Sequence, residues 1–342
     1  MKKAVILFNL GGPDKIENVE PFLFNLFNDP AILNLPLILR FPLAKLIANR
    51  RAPIAKKIYK ELGGSSPILK LTNDQSIKLE NKLNKKNNLY SYKCFIVMRC
   101  WHPRASQVIN KVKLFNPEEV ILLPLYPQFS AATSASSINE WKNICKINNY
   151  EIKTSIICCY PTNINFIKAH IEEINKKING INNFKLIFSA HGLPEKNIKN
   201  GDPYEWQINQ SVNEIVKMLN IDNLDWILSY QSRVGPLKWL GPSTEKVIIE
   251  NSKLGKHLVI VPITFVSEHS ETLVELDIEY KKLATKNGCN KYTRIPALGV
   301  NDSFIESLSN LITNKDENQF NGKIFPPKKK CPSNFIKCPC QS

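Results

Sequence analysis

Seven short runs of apolar, mostly β-branched residues recur along the chain: Ala4 to Phe8, Phe95 to Met98, Val120 to Leu123, Thr154 to Ile157, Leu186 to Ser189, Trp226 to Ser229 and Leu258 to Thr264. Their hydrophobicity is continuous rather than alternating, so each strand must be covered on both faces. The segments Asp74 to Leu83, Asn163 to Ile178, Glu205 to Leu219 and Glu271 to Leu283 carry apolar residues three and four apart, the spacing of amphipathic helices. Strands buried on both faces and separated by helices predict an α/β protein built on parallel sheets.

At about 150 residues per domain, 342 residues suit two domains. A weak internal repeat points the same way. Val5-Ile-Leu-Phe-Asn-Leu-Gly-Gly-Pro13 is similar to Leu186-Ile-Phe-Ser-Ala-His-Gly-Leu-Pro194, and Ile121-Leu-Leu-Pro-Leu125 to Val259-Ile-Val-Pro-Ile263. The expected division is 1–155 and 156–315, with a tail at 316–342. Ligands of open parallel sheets bind beyond the carboxyl ends of the strands, so the residues after each run are expected to line a shared interdomain cleft.

The balance of 46 Lys and Arg against 30 Asp and Glu, +16, would suit an anionic partner. The excess is scattered Lys without an Arg-rich or aromatic-interleaved block, so nucleic acid is not an expected partner. The apolar run after Met1-Lys-Lys is too short for a signal peptide, and no stretch reaches the ~18 to 20 apolar residues that span a bilayer. A cytoplasmic protein is expected. The segment from about 21 to 47 is crowded with Phe, Leu and Ile and interrupted by Pro30, Pro36 and Pro42. It reads as a helical hairpin that is either packed on the core or left as an apolar lip beside Arg40, Lys45, Arg50 and Arg51, able to touch a membrane surface.

Two constellations at strand ends carry chemistry. His191 follows Ser189-Ala190 and precedes Gly192, and alone it could be a structural histidine. The string Ser267-Glu-His-Ser-Glu-Thr-Leu-Val-Glu275 adds acids. If an α-helix starts near Ser267, Glu271 and Glu275 share a face, either as ligands for a borderline metal such as Fe(II) with a proton relay, or as acids favoured at a helix N-terminus. Gly11-Gly12-Pro13 lacks the spacing of a dinucleotide or phosphate loop.

Several long strings together resemble the ferrochelatase family. They are Asn9-Leu-Gly-Gly-Pro13, Arg50-Arg51-Ala-Pro53, Gly63-Gly64-Ser65-Ser66-Pro67, Tyr126-Pro-Gln-Phe-Ser130, Ser189-Ala-His-Gly-Leu-Pro194, Gln231-Ser-Arg-Val-Gly-Pro236, Trp239-Leu-Gly-Pro242 and Glu268-His-Ser-Glu-Thr-Leu-Val-Glu-Leu-Asp277. The resemblance implies two Rossmann-like domains with parallel sheets facing a porphyrin cleft, the chelatase fold, and a lyase that inserts Fe(II) into protoporphyrin IX with release of two protons. By the same resemblance His191, Glu271 and Glu275 are catalytic, His191 and Glu271 meet the metal, Glu268 extends the acidic path, and Leu10, Arg51, Tyr59, Ser66 and Trp239 contact the porphyrin. Cys100 and Leu10 stand where relatives often carry Tyr and Met. Within the same chemistry, coproporphyrin is an alternative substrate; a porphyrin or haem carrier is an alternative outside it.

Nine cysteines in a reducing compartment argue against a disulfide framework. The last three, Cys331, Cys338 and Cys340, follow a C-x6-C-x-C pattern. The resemblance implies that with Cys158, just before Tyr160-Pro161, they hold a [2Fe-2S] cluster, while four thiolates would also serve zinc.

Overall fold

The computed structural model describes residues 1–86, 89–181, 183–233, 235–317, 324–325 and 331–339. All seven apolar runs are strands in it. In chain order the elements are β1 (Lys2–Asn9), α1 (Val19–Phe27), α2 (Leu37–Glu61), α3 (Ile68–Lys86), β2 (Ser91–Met98), α4 (Ala105–Phe115), β3 (Glu119–Pro124), α5 (Ser136–Ile147), β4 (Thr154–Ile157), α6 (Ile164–Ile178) and β5 (Phe184–His191). They continue with α7 (Glu195–Lys199), α8 (Tyr204–Leu219), β6 (Trp226–Gln231), α9 (Thr244–Ser252), β7 (His257–Pro262), a π-helix (Glu271–Glu279), α10 (Tyr280–Lys286), β8 (Lys291–Arg294), α11 (Asp302–Glu317) and β9 (Ile324–Phe325).

Among the described residues the strands form two parallel sheets, ordered β2-β1-β3-β4-β9 and β6-β5-β7-β8. The chain divides into two compact units, one of Met1–Cys159 with Leu308–Lys330, the other of Tyr160–Ser307 with Cys331–Gln341. β3 and β7 are buried along their whole length, as continuous hydrophobicity requires of central strands covered on both faces. In the first unit Ile6, Phe8, Val97 and Leu122 pack with Val108, Ile109 and Trp141 of the covering helices. In the second, Ile187, Leu258 and Ile260 meet Val247, Ile248, Leu276 and Tyr280.

The 21–47 segment departs from expectation in one respect. Pro36 stands as the N-cap of α2, but Pro42 does not break it, and neither does Pro53. An interior proline costs about 3 kcal/mol and one hydrogen bond. Tertiary packing offsets that cost, because the small residues Ala44, Ala48 and Ala52 are buried and let α2 lie close to α1. Leu37, Ile38, Leu39, Phe41, Leu46 and Ile54 of the same helix are exposed, with Ile38 86% accessible. No helix among the described residues is long and apolar enough to cross a membrane.

Candidate active site

The carboxyl end of β5 delivers His191, and the π-helix that follows β7 delivers Glu271 and Glu275. His191 Nδ1 lies 2.7 Å from Glu271 Oε2. In the neutral imidazole the Nδ1–H donates to that carboxylate, which leaves the lone pair on Nε2. The Tyr204 hydroxyl donates to the His191 carbonyl at 3.1 Å, and the His191 N–H donates to Thr264 Oγ1 at 3.2 Å, so both main-chain groups of the histidine are anchored. Its side chain remains 40% exposed.

Glycine at 192 is required by its neighbours: a Cβ there would lie 2.8 Å from the Gln231 carbonyl oxygen and 3.2 Å from the Trp239 ring. Trp239 therefore packs directly beside the histidine's turn and bridges in antiparallel fashion to Pro194.

Desolvation pushes the His191 pKa down, but the Glu271 carboxylate outweighs it and the net direction is up from 6.5. Burial would raise Glu271, yet His191 and His269 hold it well below the ordinary carboxylate value. Glu275 moves the other way, raised by burial and then by the Glu271 charge. Two carboxylates on one helix are thus shifted in opposite directions by their surroundings.

Glu275 is heavily held. Its Oε1 accepts from the Ser232 N–H and the Tyr280 hydroxyl, both at 2.9 Å, and its Oε2 accepts from Gln231 Nε2 at 3.0 Å and Ser232 Oγ at 2.5 Å. Ser232 Oγ also lies 3.3 Å from Glu271 Oε2, so one hydroxyl links the two acids.

Two expectations are corrected. The helix starts at Glu271 and is π rather than α, with hydrogen bonds to the fifth residue back, so the four-residue spacing of Glu271 and Glu275 does not reflect an α-helical face. Glu268 stands before it and faces elsewhere: its Oε1 accepts from Arg294 Nη1 at 2.5 Å and from the Ala297 N–H at 2.9 Å.

His269 joins the site although its role was not foreseen. Its Nε2 is 3.9 Å from Glu271 Oε2, and the Phe265 ring packs against both histidines, 6.4 Å from His191 and 4.6 Å from His269. Gln231, Ser232 and Tyr280 were also unforeseen as holders of the acids. Gln231 and Ser232 do stand at a strand end in the sequence, the signal that could have found them.

The expected porphyrin residues fall in both units. In the first, Leu10 and Tyr59 pack in one cluster with Cys100 and Trp101. The Ser66 N–H donates to the Pro13 carbonyl at 2.8 Å, and a Cβ on Gly12 would strike the Ser66 side chain at 2.6 Å, so the Gly-Gly-Pro turn and Ser66 form one surface. The Arg51 guanidinium lies 5.8 Å from the Phe27 ring centre. Trp239 belongs to the second unit.

Cys158 and Cys159 end the run after β4, both buried, with sulfurs 3.5 Å apart. Cys331 and Cys338 are buried around Phe335 with Trp206 alongside. Cys340 lies outside the described residues. Among the described residues no group of three or more His, Cys, Asp or Glu side chains is arranged to hold a metal ion.

This architecture is that of the chelatase class. SirB from Bacillus subtilis with Fe3+ superposes with a TM-score of 0.56 over 94% of this chain and all of its own, at 13% identity. The sirohydrochlorin chelatase SirB from Bacillus subtilis subspecies spizizenii, in complex with cobalt, gives 0.55 over 94% of this chain and 100% of that one at 11%; at such identities the likeness is one of fold. Sequence narrows the class. The ferrochelatase family model matches residues 2–316. The ferrochelatase of Pelagibacter ubique (strain HTCC1062) is 74% identical over 340 residues, 99% of each chain, and that of Rickettsia felis is 49% identical over 353 residues, covering 100% of this chain and 99% of its own. The chain belongs to the ferrochelatase family, lyases of haem biosynthesis that insert ferrous iron into protoporphyrin.

Proposed function

We propose that His191, Glu271 and Glu275 carry out iron insertion in this chain, and that the observation bearing most weight is the 2.7 Å His191–Glu271 contact beside a second, hydrogen-bonded acid. Planar porphyrin presents two N–H groups where the metal must go, so insertion needs a proton acceptor and a metal donor at one face. Neutral His191, with Nδ1 committed to Glu271, offers Nε2 for a pyrrole proton or for the incoming ferrous ion. Glu271 stabilises the imidazolium once formed. Glu275, whose environment favours protonation, passes protons on through Ser232 Oγ. By the likeness of their strings to those of the family, Leu10, Tyr59, Ser66 and Trp239 contact the macrocycle and Arg51 pairs with a propionate.

The test is anaerobic turnover with Fe(II) and protoporphyrin IX, followed by loss of porphyrin fluorescence, with coproporphyrin as competitor. Insertion that survives unchanged in Glu271→Gln and Glu275→Gln would remove the assigned roles.

Two further roles rest on this reading of the chain. The exposed face of α2, with Arg40, Lys45, Arg50 and Arg51 among its leucines, suits peripheral contact with an anionic membrane, from which a poorly soluble porphyrin is taken. Vesicle cosedimentation that falls in Ile38→Glu and Phe41→Glu tests it. Cys158, Cys331, Cys338 and Cys340 are the ligand set for a [2Fe-2S] cluster. Support comes from the burial of Cys331 and Cys338 and from Gln207 Nε2, which donates to Cys331 Sγ at 3.3 Å, a contact suited to a thiolate. Such a cluster supplies one-electron chemistry and a clamp on the chain's end. Anaerobically purified protein without visible absorption and acid-labile sulfide would dismiss it.

A further inference from the structure

Beneath the two acids lies a line of buried polar side chains that the reaction scheme does not use. Ser229, Thr244 and Ser189 are completely inaccessible, and Gln231 is 1% exposed. Ser229 Oγ is 2.9 Å from Thr244 Oγ1, Thr244 Oγ1 is 2.9 Å from Ser189 Oγ, and Ser189 Oγ is 2.7 Å from Gln231 Oε1. Gln231 Nε2 then reaches the Glu271 carbonyl at 3.1 Å and Glu275 Oε2 at 3.0 Å.

The direction of every bond in this line follows from proton counting. The Glu271 carbonyl can only accept, so the Gln231 group facing it is the NH2, and its oxygen faces Ser189. Ser189 must therefore spend its single hydroxyl proton on Gln231 Oε1. That leaves Thr244 to donate to Ser189, while Ser229 shares its single proton between Thr244 Oγ1 at 2.9 Å and the Phe188 carbonyl at 3.3 Å. The donors run one way, from Ser229 on β6 through Thr244 at the start of α9 and Ser189 on β5 to Gln231 at the end of β6, and terminate on Glu275 and on the first turn of the π-helix. An amide held at its oxygen cannot rotate to present that oxygen to the carboxylate.

We propose that Gln231 is a positioning residue for iron insertion, fixing Glu275 and the first turn of the π-helix at the reacting geometry, and that the hydroxyl line from Ser229 through Thr244 and Ser189 sets its orientation. The proposal rests on the assignment of Glu275 to the reaction. Neither Gln231 nor the hydroxyls touch substrate in it; they act through Glu275. A chain of aligned donors in a dry interior is also stiffer than its separate links, which is what positioning requires.

The test combines a double-mutant cycle with a conservative rescue, on the full chain, with Fe(II) and protoporphyrin IX at one pH. Gln231→Glu keeps the shape and removes the donor; kcat is expected to fall on the order of 10²-fold, the scale of an ångström-sized misplacement, while porphyrin affinity by fluorescence stays within about twofold. Ser189→Ala, which frees the amide, is expected to lower kcat roughly tenfold, and to add less than about twofold in the Gln231→Glu background, because it acts only through that amide. Thr244→Val should repeat the loss, and Thr244→Ser should restore it, since the hydroxyl and not the methyl group is at work. Losses at Ser189 and Gln231 that multiply independently would overturn the proposal, as would near-normal turnover of Gln231→Glu. If Gln231→Glu unfolds the chain, the Thr244 pair and Ser189→Ala decide alone. Glu275→Gln separates the two levels of inference: normal turnover there overturns the role of Glu275, whereas impaired Glu275→Gln with unimpaired Gln231→Glu overturns only the positioning.

Discussion

Replacing Glu271 by Gln removes a charge from beside His191 while keeping an acceptor for its Nδ1–H. At an effective dielectric of about 20, unit charges ~3 Å apart attract by roughly 5 to 6 kcal/mol. The His191 side chain is 40% exposed, and solvent screening there reduces the interaction to something on the order of 1.5 to 3 kcal/mol. In the intact protein the imidazole titrates above 6.5 because the Glu271 charge overrides desolvation. In Glu271→Gln desolvation acts with less opposition, and the midpoint is expected to fall. Proton–nitrogen correlation spectra of the imidazole across pH 4 to 9, assigned with His191→Ala, read that midpoint directly. A stability consequence accompanies it. A folded-state pKa above the unfolded value makes the histidine's contribution fully present below 6.5 and lost as pH climbs through the raised pKa, whereas the depressed Glu271 contributes above its unfolded value of 4.5 and loses its contribution as pH falls through the depressed one. The destabilisation caused by Glu271→Gln should therefore be greatest between those limits and shrink in alkali. An unmoved or rising His191 midpoint would refute the electrostatic account of the pair.

Other outcomes follow from the same geometry. His191→Ala should abolish insertion while porphyrin still quenches tryptophan fluorescence, measured side by side in the turnover assay. Gly192→Ala should cut turnover and cost about 1 to 3 kcal/mol in urea unfolding, because its methyl group meets the Gln231 carbonyl at 2.8 Å. Asp29→Ala should cost about 1 to 3 kcal/mol, since it takes a carboxylate at 3.0 Å from Arg99, which keeps Glu140 at 3.5 Å, and an acceptor at 2.5 Å from Ser136 Oγ; urea unfolding, with Arg99→Met as the compensating change, checks this.

The strands that sequence made legible were those whose burial is apolar. β8 was invisible because Lys-Tyr-Thr-Arg reads as polar, and it is seated partly through Arg294, whose guanidinium binds both oxygens of Asp277 at 2.8 and 2.5 Å. β9, two residues long, carries no periodic signal at all. The prolines of α2 misled because local propensity speaks against them, while the close packing of Ala44, Ala48 and Ala52 is a tertiary fact. At the site, the residue types were readable from short strings, but the partnerships were not. Glu268 and Glu275 look alike in the string that holds them, and what distinguishes them is Arg294 from β8 for one, and for the other Gln231 and Ser232 from the end of β6 with Tyr280 five residues further along the same helical segment.

β9 lies beside β4, at the edge of a sheet whose other four strands are complete by residue 157. A chain emerging from the ribosome therefore begins its first sheet early and adds this strand only after residues 160–307 of the second unit have been made. Until then the outer edge of β4 offers unpaired main-chain groups to any extended segment nearby. Deleting residues 324 and 325 would leave the catalytic strings untouched in sequence, yet return the chain to that unfinished, adhesive state.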